Sequence, residues 1–167
     1  VFSEANQSGI PQIYVGSDQV FAPQENQLGE RIVIRENTAQ NIAVGKSVDA
    51  SHRQDRAVRA IDGERYTSWN VSDEPPYWLS VDLGKPYILT NWVVLHRGSG
   101  GLGTDPLDGP LNTADFRLQV SDDQITWHDV DVVEGNVLAR TNRALSPIAA
   151  RYVRLYITKP SSFDFNR

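Results

Sequence analysis

The stretch WLSVDL, residues 78–83, decides the class of fold. Its apolar residues Leu79, Val81 and Leu83 alternate with polar ones. Successive side chains of a β-strand point to opposite faces, so these three residues share one face. The alternation therefore predicts a strand with one face packed on a hydrophobic core.

Further strands are predicted along the chain. Residues 115–122 (DFRLQVSD) and 151–158 (RYVRLYIT) repeat the alternation, and residues 87–96 (YILTNWVVLH) are more continuously apolar, which is typical of a strand buried on both faces. Only residues 54–61 have a helical pattern, closed by Gly63. Short strands separated by turn residues predict an antiparallel sandwich or barrel.

Composition limits the possible partners. The chain has 167 residues, with 16 Lys and Arg against 21 Asp and Glu, a net charge of −5 and no cysteine. That length suits one domain with a core, and an acidic chain lacks the basic surface that holds nucleic acid or an anionic membrane. The longest apolar run, residues 92–95, falls far short of the ~20 residues of a spanning helix. We expect neither nucleic acid nor a membrane as a partner.

Catalytic and nucleotide-binding motifs give no positive signal. The chain contains no G-x-S-x-G or H-E-x-x-H motif, and its three histidines have no ligand-like spacing. Residues 98–103 satisfy G-x-G-x-x-G, but two prolines in residues 104–110 prevent the helix that this motif needs. We interpret residues 98–113 as a long glycine-rich surface loop, a feature that is often functional.

The segment AIDGERYTSW, residues 60–69, is a candidate metal site. A tight turn at Asp62 and Gly63 can direct a carboxylate and nearby carbonyls toward one point, and Thr67 adds a hydroxyl and a carbonyl. Such oxygen ligands suit calcium, which takes 6–8 of them. Spacing alone favours the alternative, in which Asp62 caps its own turn.

Five motifs in order resemble the discoidin domains, which are the coagulation factor 5/8 type C domains and overlap carbohydrate-binding module family 32. The resemblance implies an all-β fold, an antiparallel jelly-roll β-sandwich of the galactose-binding-domain-like type with about eight strands. It also implies a structural calcium ion beneath the ligand-binding loops. The motifs are NIAVGK at 41–46, AIDG at 60–63 with TSW at 67–69, WLSVDLG at 78–84, FRLQVSDD at 116–123 with TW at 126–127, and ARYVRL at 150–155.

The resemblance divides the chain in two. Residues 1–38, rich in Gln, Asn, Ser and Gly, are interpreted as a linker or the tail of a neighbouring module, although residues 31–35 could instead form an edge strand. Residues 39–167 are expected to form the sandwich. Family members usually continue beyond the strand at 151–158 into a last strand, so we expect that strand to come from another chain or from residues 1–36, or to be lost by cleavage.

The resemblance also implies the functional residues. Calcium is expected at the Asp62 side chain, the Thr67 hydroxyl and carbonyl, and the carbonyls of Arg59 and Glu64. The sugar-binding arginine of the family falls on Arg97. Where the family has an asparagine about five positions later, this chain has a leucine. Further polar loop residues that can converge on a sugar are His52, Arg53, Asn70, His96, Asp105 and Asn112, the last being the nearest substitute for that asparagine.

The aromatic residues are expected to differ in exposure. Tyr77 follows two prolines and is the aromatic residue most expected to be exposed, where its face could stack on a sugar ring. Trp69, Trp78 and Trp127 fall on family positions that are usually buried. Gln124 replaces the glycine of the family's Asp-Asp-Gly turn, which predicts a small loss of stability because positive φ is easily adopted only by glycine.

These features predict a noncatalytic carbohydrate-binding module of a larger secreted or cell-surface glycan-active enzyme of the glycoside hydrolase type. A glycan would bind the loops at one end of the sandwich, and the other partners would be modules of the same parent protein. One alternative is a structural domain that packs against a catalytic domain and has no ligand of its own. Phospholipid binding is a less favoured alternative, because the long loop offers few apolar residues.

Overall fold

The computed structural model describes residues 12–17, by backbone only, and residues 40–64, 67–96 and 112–161. Strands account for most of these residues, with one short 3-10 helix between the third and fourth strands. The elements are β1 Gln12–Ser17, β2 Gln40–Asn41, β3 Ser47–Ala50, the 3-10 helix Gln54–Ala60, β4 Tyr77–Leu95, β5 Asp115–Ser121, β6 His128–Val133 and β7 Arg140–Lys159.

Two long strands, β4 and β7, connect the two layers of an antiparallel β-sandwich. Residues 77–82 of β4 pair with 152–157 of β7, and after a shift in register residues 87–95 pair with 140–150. The first half of β4 and the second half of β7 lie in one layer with β3, β5 and β6. The other two halves lie in the second layer with β1 and β2. The predicted fold class is confirmed.

The core lies between the layers and is built by the predicted alternation. Leu79, Val81 and Leu83 are all fully buried and face the core. In residues 87–96 the burial is less complete than predicted, because Ile88 is 48% exposed while three consecutive residues from Trp92 are buried. The same core cluster includes Phe116, Leu118, Val153, Leu155, Ile157, Leu89 and Val94.

The helical prediction for residues 54–61 is confirmed, although the helix is of the 3-10 type. Ala57 and Ala60 turn toward the core. The Gln54 side chain fastens its start to β3, since its Oε1 accepts from the Ala50 N–H at 2.7 Å and its Nε2 donates to the Val48 carbonyl at 3.0 Å. Gln54 therefore fixes the start of the helix against β3.

The N-terminal segment contributes a strand to the second layer. β1, which lies within the segment interpreted as a linker, pairs antiparallel with residues 89–95 of β4 and with β2. Residues 31–35 lie outside the described residues, as do 162–167, after which the last strand of the family was expected. Within the described part of the chain, no helix is both long and apolar enough to cross a membrane.

The three tryptophans predicted to be buried occupy two environments. Trp69 is buried, as predicted, whereas Trp78 and Trp127 are only partly buried. The Arg154 guanidinium carbon lies 4.1 Å from the centre of the Trp127 ring and 6.0 Å from that of Trp78. Its Nε donates to Gln119 at 2.7 Å. These two tryptophans therefore stack around an arginine outside the core, so the prediction of core packing was wrong for them.

Candidate functional site

Several predicted site residues lie at one end of the sandwich. Tyr77 and Phe116 are both register partners of Ile157, so the start of β4 and the start of β5 meet there. The His96 ring lies 5.1 Å from the Phe116 ring, which brings the far end of β4 back to the same place. The Ser51 N–H donates to the Trp78 carbonyl at 2.9 Å and adds the loop after β3.

His52 is partly exposed on that loop and is held at several points. Its Nδ1 lies 2.8 Å from the Ser51 Oγ, and its carbonyl accepts a hydrogen bond of 2.8 Å from the Trp69 indole. The ring meets that of Tyr77 edge to face, with centroids 5.6 Å apart. A histidine fixed in this way is preorganised for binding, because little side-chain freedom remains to be lost.

Arg53 directly follows His52, and Asn70 directly follows Trp69, whose indole donates to the His52 carbonyl. Arg53 is exposed, has a positive φ of 52° and lies 3.3 Å from Asp55. Asn70 is half-buried, and its Oδ1 lies 3.5 Å from the Ser68 hydroxyl. Both positions are compatible with the predicted contact with a sugar, which stays a prediction.

Tyr77 is a correction to the sequence interpretation. It is only 4% exposed and belongs to the core cluster, so it is not an exposed stacking residue. Its hydroxyl donates to the Asp73 carbonyl. Burial raises the pKa of this hydroxyl, and the carboxylates of Glu74 and Asp73 raise it further. Tyr77 therefore packs against the His52 ring from the core side and offers no ring face to a ligand.

His96 is a second correction, since it is fully buried and is not a surface loop residue. Its Nε2 lies 2.9 Å from the Thr141 Oγ1, and its backbone N–H donates to the Ala139 carbonyl at 2.8 Å. Burial lowers the pKa of the imidazole from 6.5 to about 4. His96 is thus a neutral residue of the core at physiological pH, and it fixes the place where β4 ends.

Asn112 is a third correction. It is buried, and its Nδ2 donates to the Val137 carbonyl at 3.0 Å. Asn136 fastens the same loop, because its Nδ2 donates to the Thr113 carbonyl at 2.8 Å and its Oδ1 accepts from the Leu138 N–H at 3.1 Å. Asn112 is therefore used within the protein, where it holds a loop in place. Arg97 and Asp105 lie outside the described residues.

The loop held by Asn112 presents a feature that the sequence reasoning missed. Val137 is 58% exposed and Leu138 is 62% exposed, side by side on the fastened loop. The only available signal was a pair of apolar residues directly after the turn residues Gly135 and Asn136, which no strand pattern accounts for. The next residue, Ala139, accepts a hydrogen bond from the His96 N–H just after the end of β4, so the pair lies close to the candidate site.

Oxygen atoms converge at the predicted metal loop. The Thr67 Oγ1 lies 2.7 Å from the Asp62 Oδ2, 3.2 Å from the Glu64 carbonyl and 3.4 Å from the Arg59 carbonyl. The other oxygen of Asp62 accepts from the Glu64 N–H at 2.8 Å, as expected of a carboxylate that caps its own turn. Gly63 makes the turn possible with a φ of +78°. Asp62 can therefore cap its own turn through Oδ1 and still offer Oδ2 to a metal ion, so the two interpretations are compatible.

This donor set fits calcium by its chemistry. The Asp62 carboxylate, the Thr67 hydroxyl and the two backbone carbonyls all offer hard oxygen atoms. Calcium is commonly coordinated by carboxylate and backbone carbonyl oxygens. A single hydroxyl hydrogen cannot be donated to three acceptors at once, so the Thr67 hydroxyl hydrogen-bonds fully to only one of these oxygens at a time. No cluster of three or more His, Cys, Asp or Glu side chains that suits a metal occurs in the described ranges. The oxygen donors of the loop are of the type that calcium prefers, whereas zinc prefers nitrogen and sulfur ligands.

Comparison with known proteins identifies similar domains. The family model of the F5/8 type C domain matches residues 42–165. Among solved structures, the family 32 carbohydrate-binding module from Streptococcus pneumoniae EndoD is 27% identical with a TM-score of 0.59, and the match covers 75% of this chain and 90% of that one. No curated protein sequence matches the chain.

Two more distant structures share the fold. Chitosan-binding module 1 of a chitosanase/glucanase from Paenibacillus sp. IK-5 is 24% identical with a TM-score of 0.56, and the match covers 73% of this chain and 91% of that one. The Clostridium perfringens module CpGH89CBM32-5, solved in complex with GalNAc-β-1,3-galactose, is 18% identical with a TM-score of 0.52, and the match covers 69% and 85%. All three of these structures are sugar-binding modules by their names.

Proposed function

This chain belongs to the F5/8 type C domain family, and on that premise we propose that it binds a glycan through the end of the sandwich where His52 and Asn70 lie. It acts as a noncatalytic module of a larger secreted or cell-surface enzyme that acts on glycans, of the glycoside hydrolase type. The similarity to a module of EndoD, and the fold shared with modules of a chitosanase/glucanase, support this proposal.

One observation carries the proposal: a partly exposed histidine is held rigidly at an end of the sandwich. The Trp69 indole holds the His52 backbone, Ser51 holds its ring nitrogen, and the Tyr77 ring lies beneath it. A sugar hydroxyl needs polar partners at set positions, because each such hydrogen bond contributes only about 0.5–1.5 kcal/mol. When the donor or acceptor is already rigid, little entropy is lost on binding, so this small free energy is not cancelled.

We further propose that Asp62, Thr67 and the carbonyls of Arg59 and Glu64 bind a structural calcium ion. The ion would supply positive charge that holds these oxygens together. Thr67 lies two residues before Trp69, whose indole donates to the His52 carbonyl. An ordered metal loop would therefore stabilise the position of His52, and calcium would support sugar binding without contact to the sugar.

A glycan array followed by calorimetric titration tests the function. We expect wild-type protein to bind at least one oligosaccharide and His52→Ala to lose most of that affinity. Lys85→Ala is the matched control, because Lys85 is exposed in the bend between Asp82 and Tyr87, remote from the start of β4. Failure to bind any oligosaccharide at millimolar concentration would contradict the proposal, and so would equal losses in the two variants.

A domain that packs against the rest of its parent protein is the second candidate. The exposure of Val137 and Leu138 on a fastened loop favours it, because exposed apolar pairs often mark contacts between proteins. In that case the double variant Val137→Ser and Leu138→Ser would weaken docking to the catalytic part and leave glycan affinity unchanged. Loss of glycan affinity in this variant would assign the pair to the sugar site instead.

A further inference from the structure

Arg154 lies at the centre of the outer face of one layer. It is a register partner of Ser80 on β4 and, on the other side, of Gln119 on β5. Its neighbours along β7 on the same face are Tyr152 and Tyr156, because side chains alternate along a strand. Arg154 thus lies on the surface of the sheet, and not among the loops at the end of the sandwich.

Three aromatic rings surround the Arg154 guanidinium. Its central carbon lies 4.1 Å from the centre of the Trp127 ring, 5.4 Å from that of Tyr156 and 6.0 Å from that of Trp78. Trp78 and Tyr156 are register partners, so their rings are neighbours on this face. Arg154 and all three rings are partly exposed. The cation is therefore held by cation–π contacts and remains accessible from solvent.

One polar contact fixes the orientation of the guanidinium. The Arg154 Nε donates to the Gln119 Oε1 at 2.7 Å, and the Gln119 Nε2 donates to Asp129 at 2.6 Å. Asp129 also accepts from Arg117 at 2.9 Å. Among the described residues, the hydrogen bonds of Arg154 use its Nε alone. Its two terminal amino groups are not needed to hold it in place.

Arg154 differs in charge pairing from the other partly buried arginines of the described ranges. Arg56, Arg117 and Arg151 each form an ion pair with a carboxylate, whereas Arg154 forms none with a described residue. Burial disfavours its charged form and lowers its pKa, although Asp129 attracts it from beyond ion-pair distance. A carboxylate bound beside Arg154 would offset this cost of burial.

We propose that Arg154, Trp78 and Tyr156 form a second glycan-binding position, which takes a sugar that carries a carboxylate, such as a hexuronate. A guanidinium is planar and donates parallel hydrogen bonds to the two oxygens of a carboxylate. The neighbouring rings of Trp78 and Tyr156 offer apolar surface to the C–H face of the sugar ring. This position does not depend on the glycan binding proposed for His52.

The four tryptophans of the chain allow an NMR titration with trigalacturonate to test the position, because their indole N–H groups report on different places. Trp127 lies against Arg154. Trp69 contacts His52, and Trp92 lies between the layers. We expect the acid to shift the Trp127 indole resonance and to leave that of Trp92 unchanged. A shift confined to Trp69, or no shift at millimolar concentration, would overturn the proposal.

Calorimetric titration with trigalacturonate tests the role of the charge. Arg154→Gln should bind about 10-fold more weakly or worse, the loss of a charge-assisted hydrogen bond. Arg151→Gln is the matched control and should bind like wild type, since Arg151 is already paired with Asp82. An unchanged affinity in a folded Arg154→Gln would refute the proposal.

The methyl ester of trigalacturonate gives a test on the wild-type protein, because it keeps the sugar rings and lacks the charge. We expect it to bind about 10-fold more weakly than the acid. Equal affinity for the acid and the ester would overturn the proposal even if Arg154→Gln fails to fold. A neutral sugar that shifts the Trp69 resonance would support the site at His52 whichever result Trp127 gives, so the two proposals fail separately.

Discussion

Trp92 and Asp131 join the two layers of the sandwich by a hydrogen bond of 2.8 Å from the indole Nε1 to the carboxylate Oδ2. Trp92 is fully buried in the second half of β4, and Asp131 lies on β6 in the other layer. Arg143 of β7 completes the arrangement with contacts of 2.5 and 2.9 Å to the same carboxylate. One acidic side chain thus connects three strands.

Asp131→Asn is expected to destabilise the protein by about 1–3 kcal/mol, because a carboxylate that accepts hydrogen bonds from a buried indole and a guanidinium is replaced by a neutral amide. Burial alone would raise the pKa of Asp131, but the hydrogen bonds from Arg143 and Trp92 outweigh it and hold the pKa below its ordinary value. This stabilisation is therefore present above the ordinary pKa of an aspartate and is lost as pH falls through the lower folded value.

Chemical denaturation of the wild type and Asp131→Asn at neutral and acidic pH measures this effect. Asp55→Asn is the matched control, since Asp55 is a largely exposed carboxylate whose ion pairs with Arg53 and Arg56 lie in solvent, where such pairs contribute little. Equal losses in the free energy of unfolding for the two variants at neutral pH would show that the Trp92–Asp131 contact between the layers stabilises the protein no more than an exposed ion pair does.

His96 should give the fold an acid-sensitive stability. Its pKa is lowered by burial to about 4, so between pH 4 and pH 6.5 the unfolded chain binds a proton that the folded chain does not. Stability is then complete above pH 6.5 and falls as pH decreases toward 4, by as much as ~3 kcal/mol. His96→Gln should flatten the melting temperature as a function of pH in that window, whatever its effect at neutral pH. Parallel curves for the two proteins would refute this role.

Gln124→Gly should stabilise the turn between β5 and β6. Gln124 has a φ of 63°, which costs about 1 kcal/mol for a residue with a Cβ. Glycine relieves this strain, but its greater freedom in the unfolded chain offsets part of the gain in stability. The contacts at this position use the backbone, which accepts from Trp127 and donates to Ser121, so they survive the change. Thermal denaturation should show a small rise in Tm, whereas Asp122→Gly, at negative φ, should lower it.

Calcium should raise the melting temperature of the wild type, and chelator should lower it, because a ligand bound only by the native state stabilises that state. Asp62→Asn should abolish the response, since it removes the negative charge of the carboxylate that the Thr67 hydroxyl contacts. Asp49→Asn is the control, as Asp49 is an exposed carboxylate on β3. A melt that does not respond to calcium or chelator would remove the metal from the proposal.

Sequence reasoning succeeded where local backbone geometry decides the outcome. The buried faces of residues 78–83 follow from period-2 alternation, and the positive φ of Gln124 follows from its place in a turn that favours glycine. The converging oxygens at Asp62 and Thr67 agree with the ligands that the family resemblance implies, although spacing alone did not favour a metal.

Sequence reasoning failed for polar residues whose partners are distant in the chain. His96 was expected on a loop but meets Thr141, and Asn112 was expected at the sugar but meets Val137. Neither contact leaves a periodic pattern in the sequence. Tyr77 was expected to be exposed because two prolines precede it, yet its ring packs in the core beside His52.

The sequence by itself determined the strands at residues 78–83, 115–122 and 151–158, the face that each presents to the core and the turn at Asp62, because these depend on neighbouring residues and on the period of the β-strand. Only the tertiary structure decided which polar side chains remain available to a ligand. That outcome depends on how β4 and β7 cross from one layer to the other and bring His96 beside Phe116. Burial at the end of the sandwich then uses His96 and Asn112 within the protein and leaves His52 partly exposed.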